Sequence, residues 1–350
     1  MGGRSGFRWL SGAGAATVVL VAVTAWLVGA RPGTSGAEQA NWSLAQLRAP
    51  EAWPVSTGQG VTIGIVDSGI DPGAPAVAGK VGATADCVGS GGDEGLCRTG
   101  LAPDAVGHGT VVASVAAQVA PGARFVAARA VSGRQGGDDD VSAAIDWVVD
   151  HGAQVVNVSI ADEDSADVSL SPRMTDAVER AWQRGAVPIL AAGNTSGVSG
   201  YGGVDALVAA ATTANGSLAP YSAQTTGVKW GVAAPGSIVM VLSSGVQQLH
   251  QGTSVAAPNV AGAAALLLGR GETRDSAVER LVSTAVPCGG CGHGRIDAAA
   301  ALGVPPAPPV TVAPRPPVPP APPPAPPPVP LSIPDPSLLD QAPPLAALTP

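Results

Sequence analysis

The sequence predicts an α/β domain in which a mainly parallel β-sheet is covered by helices on both faces. Short runs of continuously apolar residues recur along the 350-residue chain, as expected for strands that are buried on both sides. Stretches with helical periodicity separate these runs. Nearly half of the 34 prolines are confined to residues 304–330, so the remaining body is apolar enough to form a sizeable core.

The elements follow one another along the chain in an alternating order. The predicted strands are residues 61–69, 124–131, 154–160, 187–194 and 206–212. A helix over 140–152 is predicted to begin at Asp140 as its N-cap, and both it and a second helix over 174–185 end at a glycine. Helical stretches also begin at His108 and near Ser254, with Pro258 expected in the first turn of the latter.

Net charge excludes one class of function. The chain carries a formal charge of −8, and Lys80 and Lys229 are its only lysines. Without a basic stripe, a nucleic-acid-binding protein would lack the electrostatic footprint that such binding needs. We therefore expect no nucleic-acid partner.

Residues 1–37 are typical of a secretory signal peptide. Arg4 and Arg8 precede a run without a charged residue that extends through Ala30, and small residues follow it. An uncleaved N-terminal anchor stays open as an alternative, because about 20 apolar residues can span a bilayer. In that case membrane contact would involve this segment alone. Both interpretations predict a secreted or cell-envelope protein, outside the cytoplasmic membrane.

Four cysteines fit an oxidising compartment and permit three pairings. We favour the two local pairs, Cys87 with Cys97 and Cys288 with Cys291. A zinc site formed by Cys288, Cys291 and His293 is a weaker alternative, since no fourth ligand lies nearby in the sequence. A redox-active Cys-x-x-Cys is equally weak, because nothing around it is typical of a thioredoxin.

Three residues supply the groups of a nucleophilic hydrolase. Asp67 ends the first predicted strand. His108, which is flanked by two glycines, opens a helix, and Ser254 begins a long apolar helix. A neutral imidazole can take the proton of a serine hydroxyl, and a buried carboxylate fixes its tautomer. Functional groups in parallel sheets gather at the carboxyl ends of the strands, which is where this pattern places them.

Five sequence blocks in a fixed order resemble the subtilisin-like serine proteases, or subtilases. They are VTIGIVDSGID, GHGTVVA, VVNVSI, AAGN and GTSVAAPNVAG, and the resemblance covers about residues 48–302. It implies a three-layer subtilisin-like fold over residues 38–303. It also implies that Asp67, His108 and Ser254 are the catalytic triad, whereas His293, in the second Gly-His-Gly, is a turn residue.

The resemblance also implies further site residues and the kind of substrate. Asn194 would donate to the oxyanion, while Ser159, Ile160 and Ala161 would form a strand edge that binds an extended peptide or protein. Gly193 and Gly200 would line the pocket for the residue before the scissile bond. No cofactor and no metal are expected, because the calcium-binding loop that subtilases commonly carry after the catalytic histidine is missing here.

Other departures from the family pattern concern specificity and the ends of the chain. Ala161-Asp162 replaces the family's Gly-Gly, so Asp162 would favour a basic residue in the substrate. Only about ten to twenty residues separate the apolar run from the family-like NWSLAQLRAPEAW, so no pro-domain is expected, as in the mycosins, a branch of the subtilases. Mycosins also carry Pro-rich segments, as at 304–330 here, but they usually end in a transmembrane helix. Residues 331–350 are expected to form a disordered tail that cannot span a membrane. The Pro-rich tail would suit a partner in the cell wall or envelope.

The sequence therefore predicts an exported serine endopeptidase that hydrolyses peptide bonds through an Asp-His-Ser triad and an acyl-enzyme. One alternative is a catalytically silent protein of the cell envelope that keeps the fold as a scaffold or binding module. A lipase or esterase of the α/β-hydrolase type needs a G-x-S-x-G turn and the chain order Ser, Asp, His, and the sequence has neither.

Overall fold

The computed structural model describes residues 36–100, 102–133, 135–160, 169–241 and 247–306. Its helices are α1 (Gly36–Leu47), α2 (Ala49–Ala52), α3 (His108–Val119), α4 (Asp138–Asp150), α5 (Pro172–Gln183), α6 (Thr253–Gly269), α7 (Arg274–Ser283) and α8 (Ala298–Ala301), with a short 3₁₀ turn at Glu94–Leu96. Its strands are β1 (Thr62–Asp67), β2 (Val81–Asp86), β3 (Arg98–Thr99), β4 (Arg124–Arg129), β5 (Val155–Val158), β6 (Val187–Ala191), β7 (Leu207–Thr212), β8 (Trp230–Pro235), β9 (Ser237–Val241) and β10 (Gln247–Gln251).

Within these ranges, eight strands form one sheet in the order β3-β2-β4-β1-β5-β6-β7-β8. All neighbours pair in parallel except β3, which runs antiparallel to β2. The register sets Asp67 beside Arg129 and Val66 beside Val158, so the ends of β4, β1 and β5 lie at one rim. Strands β9 and β10 form a separate antiparallel hairpin.

Alternate side chains of the strands enter two different cores, because successive residues point to opposite faces of a sheet. Ile63 and Ile65 of β1 pack in the core that contains residues of α3 and α6, whereas Val66 packs in the core that contains residues of α4 and α5. The sheet is therefore the middle of three layers. The predicted fold class, α/β with helices on both faces, is confirmed.

The five predicted strands correspond to β1, β4, β5, β6 and β7, and the two helices with predicted bounds correspond to α4 and α5. Asp140 was expected to cap α4, but it is the third residue of that helix. Its carboxylate instead accepts hydrogen bonds from Ser90 Oγ and Gly91 N, each at 3.2 Å. Strands β2, β3 and β8 and the hairpin β9–β10 were not predicted, because their apolar runs are short or interrupted.

Pro258 also differs from its predicted position. It lies inside α6 as the sixth residue and thus in the second turn, where its missing N–H leaves the Ser254 carbonyl without the usual helical donor. Asn259, buried at 2% exposure, donates from Nδ2 to Val255 O and to Pro235 O. These bonds attach the first part of α6 to the end of β8.

The cysteines are joined as the two local pairs, Cys87–Cys97 and Cys288–Cys291. The second disulfide excludes the alternative zinc site, since thiolate ligands would have to be free. The Cys87–Cys97 bond closes the loop that contains the 3₁₀ turn, and Cys87 N donates to Arg129 O at 2.9 Å. The loop is thereby attached to the rim of the sheet.

Several predictions concern parts of the chain outside the described residues. These are residues 1–35 of the signal segment, Ala161 and Asp162, and residues 307–350 of the linker and tail. Among the helices of the described ranges, none has the length and apolar character required to cross a membrane.

Candidate active site

Asp67 is the last residue of β1, and its carboxylate is buried at 1% exposure. Oδ1 accepts a hydrogen bond from Ser68 N at 2.7 Å and lies 2.8 Å from His108 Nδ1. Oδ2 has no hydrogen-bond partner within the described part of the chain. A carboxylate so poorly compensated in a buried position favours a positive charge beside it, so Asp67 would stabilise a protonated His108.

His108 opens α3, and the close approach of this helix to β1 brings its ring next to Asp67. Gly107, the N-cap, has a left-handed φ of 87°. A Cβ on Gly109 would lie 2.1 Å from Gly69 O and 3.1 Å from Asp67 Cβ, so only glycine fits there. The His108 side chain remains 37% exposed, which leaves it accessible from the cleft.

Asp104 was missed by the sequence analysis, although it holds the start of α3. Its Oδ1 accepts from Gly107 N at 2.7 Å and from Ser68 Oγ at 2.8 Å. Its Oδ2 accepts from Thr110 N at 2.7 Å and Thr110 Oγ1 at 2.6 Å. An acidic residue just ahead of a helix is a common capping signal, and Asp104 stands four positions before His108.

Burial disfavours the charged form of Asp104, but the hydrogen bonds outweigh this effect. Those from Thr110, Ser68 and Gly107 together hold the pKa of the Asp104 carboxyl below its usual value. Ser68 Oγ also accepts from Gly109 N at 3.0 Å. Ser68 directly follows Asp67, and its hydroxyl bonds both to Asp104, which holds Gly107 N, and to Gly109 N. The residues on both sides of His108 are thereby linked to the end of β1.

Ser254 is the second residue of α6 and lines the same cleft as Asp67 and His108. The helix begins after Gly252, whose φ of 154° lies in the region that favours glycine. A Cβ on Gly252 would lie 3.0 Å from Ser254 Oγ and 3.4 Å from Asn194 Nδ2, so both polar groups lie close to Gly252. The N-terminus of a 17-residue helix favours negative charge near Ser254.

Asn194 lies three residues beyond the end of β6 and also lines the cleft. Its Oδ1 accepts from Thr253 N at 2.8 Å and from Thr253 Oγ1 at 3.1 Å. Thr253 Oγ1 in turn accepts from Gly193 N at 3.1 Å. Because Oδ1 faces these donors, the Nδ2 amide is oriented to donate elsewhere. Thr253 is a second residue that the sequence analysis missed.

The residues predicted to contact substrate are only partly brought together. Ser159 and Ile160 line the cleft, and Ala161 lies outside the described residues. Gly193 is buried with a left-handed φ of 104°, and its carbonyl accepts from Ala223 N at 2.9 Å. Gly200 is exposed and is absent from the described residues that line the cleft, so its role stays a prediction.

The other histidines have different surroundings. His151 follows α4, where Nδ1 lies 2.8 Å from Trp147 O and the ring stacks on Trp147. His293 is an exposed turn residue with Nε2 3.0 Å from Lys229 O, away from the cleft. His250 lies on β10, and its Nε2 is buried without a hydrogen-bond partner among the described residues.

An acid, an imidazole and a hydroxyl that share one cleft at the carboxyl rim of a parallel sheet are typical of serine hydrolases. Comparison with known proteins gives the family. Residues 58–294 match the subtilase family of peptidases. The chain is 31% identical over 276 residues to thermitase of Thermoactinomyces vulgaris, covering 73% of this chain and 94% of thermitase.

Two further similarities agree with this result, and a third shows the same fold. An extracellular protease of Xanthomonas campestris is 33% identical over 318 residues, which span 74% of this chain and 54% of that protein. A protease structure from Pseudoalteromonas arctica superposes with a TM-score of 0.62 at 26% identity, covering 76% of this chain and 97% of that one. A lanthipeptide protease shares the fold at a TM-score of 0.65 and 19% identity, over 76% of this chain and 94% of its own.

The chain belongs to the subtilase family. It is accordingly a serine endopeptidase that acts on peptide or protein substrates.

Proposed function

We propose that Asp67, His108 and Ser254 are the catalytic triad of this peptidase and that hydrolysis proceeds through an acyl-enzyme on Ser254. The observation that carries the proposal is the 2.8 Å contact between His108 Nδ1 and Asp67 Oδ1 in a cleft that Ser254 also lines. This contact fixes the tautomer with the proton on Nδ1, so Nε2 is the basic nitrogen.

In the acylation step, Ser254 Oγ attacks the peptide carbonyl carbon while His108 Nε2 takes the hydroxyl proton. The tetrahedral intermediate then collapses, the C–N bond breaks, and His108 gives the proton to the leaving nitrogen. In deacylation, water attacks the ester by the same proton transfers and releases the second product. Asp67 keeps its charge throughout and stabilises each imidazolium that forms.

Asn194 Nδ2 and Ser254 N are the proposed donors to the oxyanion. Thr253 supports this assignment, because its N–H and hydroxyl both bind Asn194 Oδ1 and turn the other end of the amide away from them. The positive end of α6 adds to the stabilisation of a developing negative charge. Replacing such a donor in serine proteases lowers kcat by about 10²–10³-fold, and we expect the same for Asn194→Ala.

The acyl half of an extended peptide is proposed to lie along Ser159 and Ile160. These residues directly follow β5, and both line the cleft. Backbone pairing along such an edge binds many sequences, since it uses main-chain groups that all peptides share.

A fluorophosphonate probe tests the triad, because it reacts only with a serine whose proton a neighbouring base can accept. We expect the wild-type protein and His293→Ala to be labelled and Ser254→Ala to remain unlabelled. Hydrolysis of a peptide should fall by about 10⁴-fold or more in Ser254→Ala and stay unchanged in His293→Ala. If the folded wild-type protein is neither labelled nor active, the catalytically silent scaffold is the better interpretation.

We also propose that the enzyme is exported. The charged and then apolar start of the chain and the two disulfides support this, and one relative is named an extracellular protease. Expression with a C-terminal tag, followed by fractionation and N-terminal mass spectrometry, tests it. A cleaved N-terminus in the medium supports a signal peptide, and an intact one in the membrane fraction supports an anchor. Intact protein in the cytoplasm would contradict export.

A further inference from the structure

The disulfide Cys288–Cys291 closes a Cys-Gly-Gly-Cys turn that is open to solvent on one side. Of the four cysteines, all of which lie in the described ranges, Cys288 alone is half-buried, whereas Cys291, Cys87 and Cys97 are buried. Gly289 is exposed, and a Cβ on it would meet no atom of the described chain within 4 Å. A thiol in solution can therefore approach Cys288, while the other disulfide is shielded.

The turn packs directly against residues 223–225. The carbonyl of Gly290 accepts a hydrogen bond from Thr225 N at 2.9 Å. A Cβ on Gly290 would lie 3.0 Å from Leu218 Cδ2 and 3.2 Å from Gln224 Cγ, so both side chains touch the turn. The disulfide fixes the conformation in which these contacts are made.

Residues 223–225 in turn hold the loop that follows β6. Ala223 N donates to Gly193 O at 2.9 Å, and Gln224 N donates to Gly197 O at 2.8 Å. The carbonyl of Gln224 accepts from Ser199 N, also at 2.8 Å. Most of this loop is exposed, so its position depends on these three hydrogen bonds more than on core packing.

Two parts of the proposed active site lie on this loop, and they are anchored differently. Asn194 Oδ1 is held by Thr253 at the start of α6, which does not touch the disulfide turn. Gly193 and Gly200, predicted to line the pocket for the side chain before the scissile bond, belong to the part that residues 223–225 hold. Opening the turn should therefore loosen this pocket and leave the triad and the oxyanion donor in place.

We propose that Cys288–Cys291 is a site of thiol–disulfide exchange with a dithiol, and that its reduction weakens recognition of the side chain before the scissile bond. This inference rests on the proposed function, because the pocket beside the triad is its readout. No thioredoxin-like fold is needed, since the disulfide is the substrate of the exchange and not its catalyst.

The exchange proceeds in two steps. One thiolate of the dithiol attacks Cys288 Sγ, the bond between the two cysteine sulfurs breaks, and Cys291 leaves as a thiolate that takes a proton. The second thiolate of the dithiol then attacks its own sulfur in the mixed disulfide, closes a ring, and releases Cys288 as a thiolate that also takes a proton. The dithiol loses two electrons and two protons, which the cysteine pair gains.

The effect of reduction should be local. The bond closes a loop with a sequence separation of only 3, so opening it releases little chain entropy. The buried Cys87–Cys97 bond, with a separation of 10, stays closed because its sulfurs are inaccessible. The domain therefore remains folded while the turn opens.

Alkylation tests the exchange itself. The folded protein is treated with dithiothreitol in the absence of denaturant, free thiols are blocked with iodoacetamide, and peptides are analysed by mass spectrometry. We expect alkylation of Cys288 and Cys291 and none of Cys87 and Cys97. Protein treated with oxidised dithiothreitol is the control and should stay unmodified.

Two peptides test the consequence for the pocket. One has, before the scissile bond, the best-cleaved side chain larger than Ala from a peptide library, and Ala replaces it in the other. For the reduced and alkylated enzyme, freed of dithiothreitol, we expect kcat/KM to fall roughly fivefold to tenfold on the first peptide and at most about twofold on the second. The rate of fluorophosphonate labelling should stay the same, because the probe needs only the triad.

The variants separate this disulfide from the other. Cys288→Ser/Cys291→Ser should show the selectivity of the reduced enzyme with or without dithiothreitol. Cys87→Ser/Cys97→Ser, the matched control, keeps the Cys288–Cys291 bond and should respond to dithiothreitol as the wild type does. Reoxidation of the reduced, unalkylated wild type should restore its selectivity.

Three outcomes would overturn the inference: no alkylation of Cys288, an unchanged ratio of kcat/KM for the two peptides after reduction, or an equal loss on both. If the oxidised wild type neither reacts with the fluorophosphonate nor cleaves either peptide, the proposed function fails instead. The alkylation pattern does not depend on activity and distinguishes the two cases.

Discussion

Asp104 connects the two parts of the chain that carry Asp67 and His108, because its oxygens bind groups from both. One oxygen accepts from Ser68 Oγ, next to Asp67, and both accept from the first turn around His108. The first N–H groups of a helix have no partner within the helix. A carboxylate that accepts hydrogen bonds from them also interacts favourably with the positive end of the helix dipole. Asp104 is therefore a positioning residue, since it acts on the imidazole only through the backbone that carries it.

We expect Asp104→Asn to lower both stability and activity. The uncharged amide has one acceptor oxygen and cannot bind all four donors, so the free energy of unfolding should fall by about 1–2 kcal/mol. Water screens the charge of this partly buried group, which keeps the value at the low end. Because the start of α3 would loosen, kcat/KM should fall by roughly tenfold. Urea unfolding and peptide hydrolysis measure the two effects.

The stability effect should depend on pH. Asp104 has a lowered pKa in the folded protein relative to the usual 3.8, so its contribution is complete above that value and disappears as the pH falls through the lowered one. The melting temperatures of the wild type and Asp104→Asn should therefore converge in acid. Asp93→Asn is the matched control, because in the described part of the chain Asp93 Oδ1 accepts from Gly95 N alone. A gap that is constant down to low pH would contradict this account.

Helices α3 and α6 carry the proposed base and nucleophile in their first turns, and each is preceded by a glycine with an unusual φ. Both helices pack on the same face of the sheet and share one core. Their starts meet at the carboxyl rim because parallel strands all end there. The blocks of sequence around Gly107 and Gly252 thus predicted the starts of these helices correctly, since capping and turn chemistry are local.

The two disulfides stabilise elements of different size. The Cys87–Cys97 bond closes a loop with a sequence separation of 10, and Cys288–Cys291 has a separation of 3. Chain-entropy arguments give about 3 kcal/mol for the first and about 2 kcal/mol for the second. We therefore expect the double variant Cys87→Ala/Cys97→Ala to lose more stability than Cys288→Ala/Cys291→Ala in urea unfolding. Equal losses, or the reverse order, would show that local packing dominates over loop entropy.

At the scale of the whole domain, Arg48 joins the N-terminal and C-terminal parts of the described chain. It follows α1 with a φ of 53°, and no other non-glycine residue in the described ranges has a positive φ. Its guanidinium contacts Asp297 Oδ2 at 3.1 Å, ahead of α8, and donates to Pro305 O at 2.8 Å. Glu51 forms a further ion pair at 3.0 Å.

Two substitutions at Arg48 separate the backbone strain from the ion pairs. Arg48→Ala removes the contacts and keeps the strain, so it should cost about 2–3 kcal/mol of unfolding free energy. Arg48→Gly removes the same contacts but relieves the strain, so its loss should be about 1 kcal/mol smaller. Arg184→Ala, which breaks an exposed pair with Asp150, should change little. If Arg48→Gly is less stable than Arg48→Ala, the backbone at residue 48 is not strained.

The sequence by itself determined the elements that local chemistry controls. Buried parallel strands are continuously apolar, so β1, β4, β5, β6 and β7 were predicted, and the ordered blocks around Asp67, His108, Asn194 and Ser254 predicted the family. Strands β2, β3 and β8 and the β9–β10 hairpin were not predicted, because their residues depend on neighbours that only folding supplies. The tertiary structure alone brought Asp104 to Ser68 and Arg48 to Asp297. These contacts join residues far apart in the sequence, and the packing of helices on the sheet decides their distances.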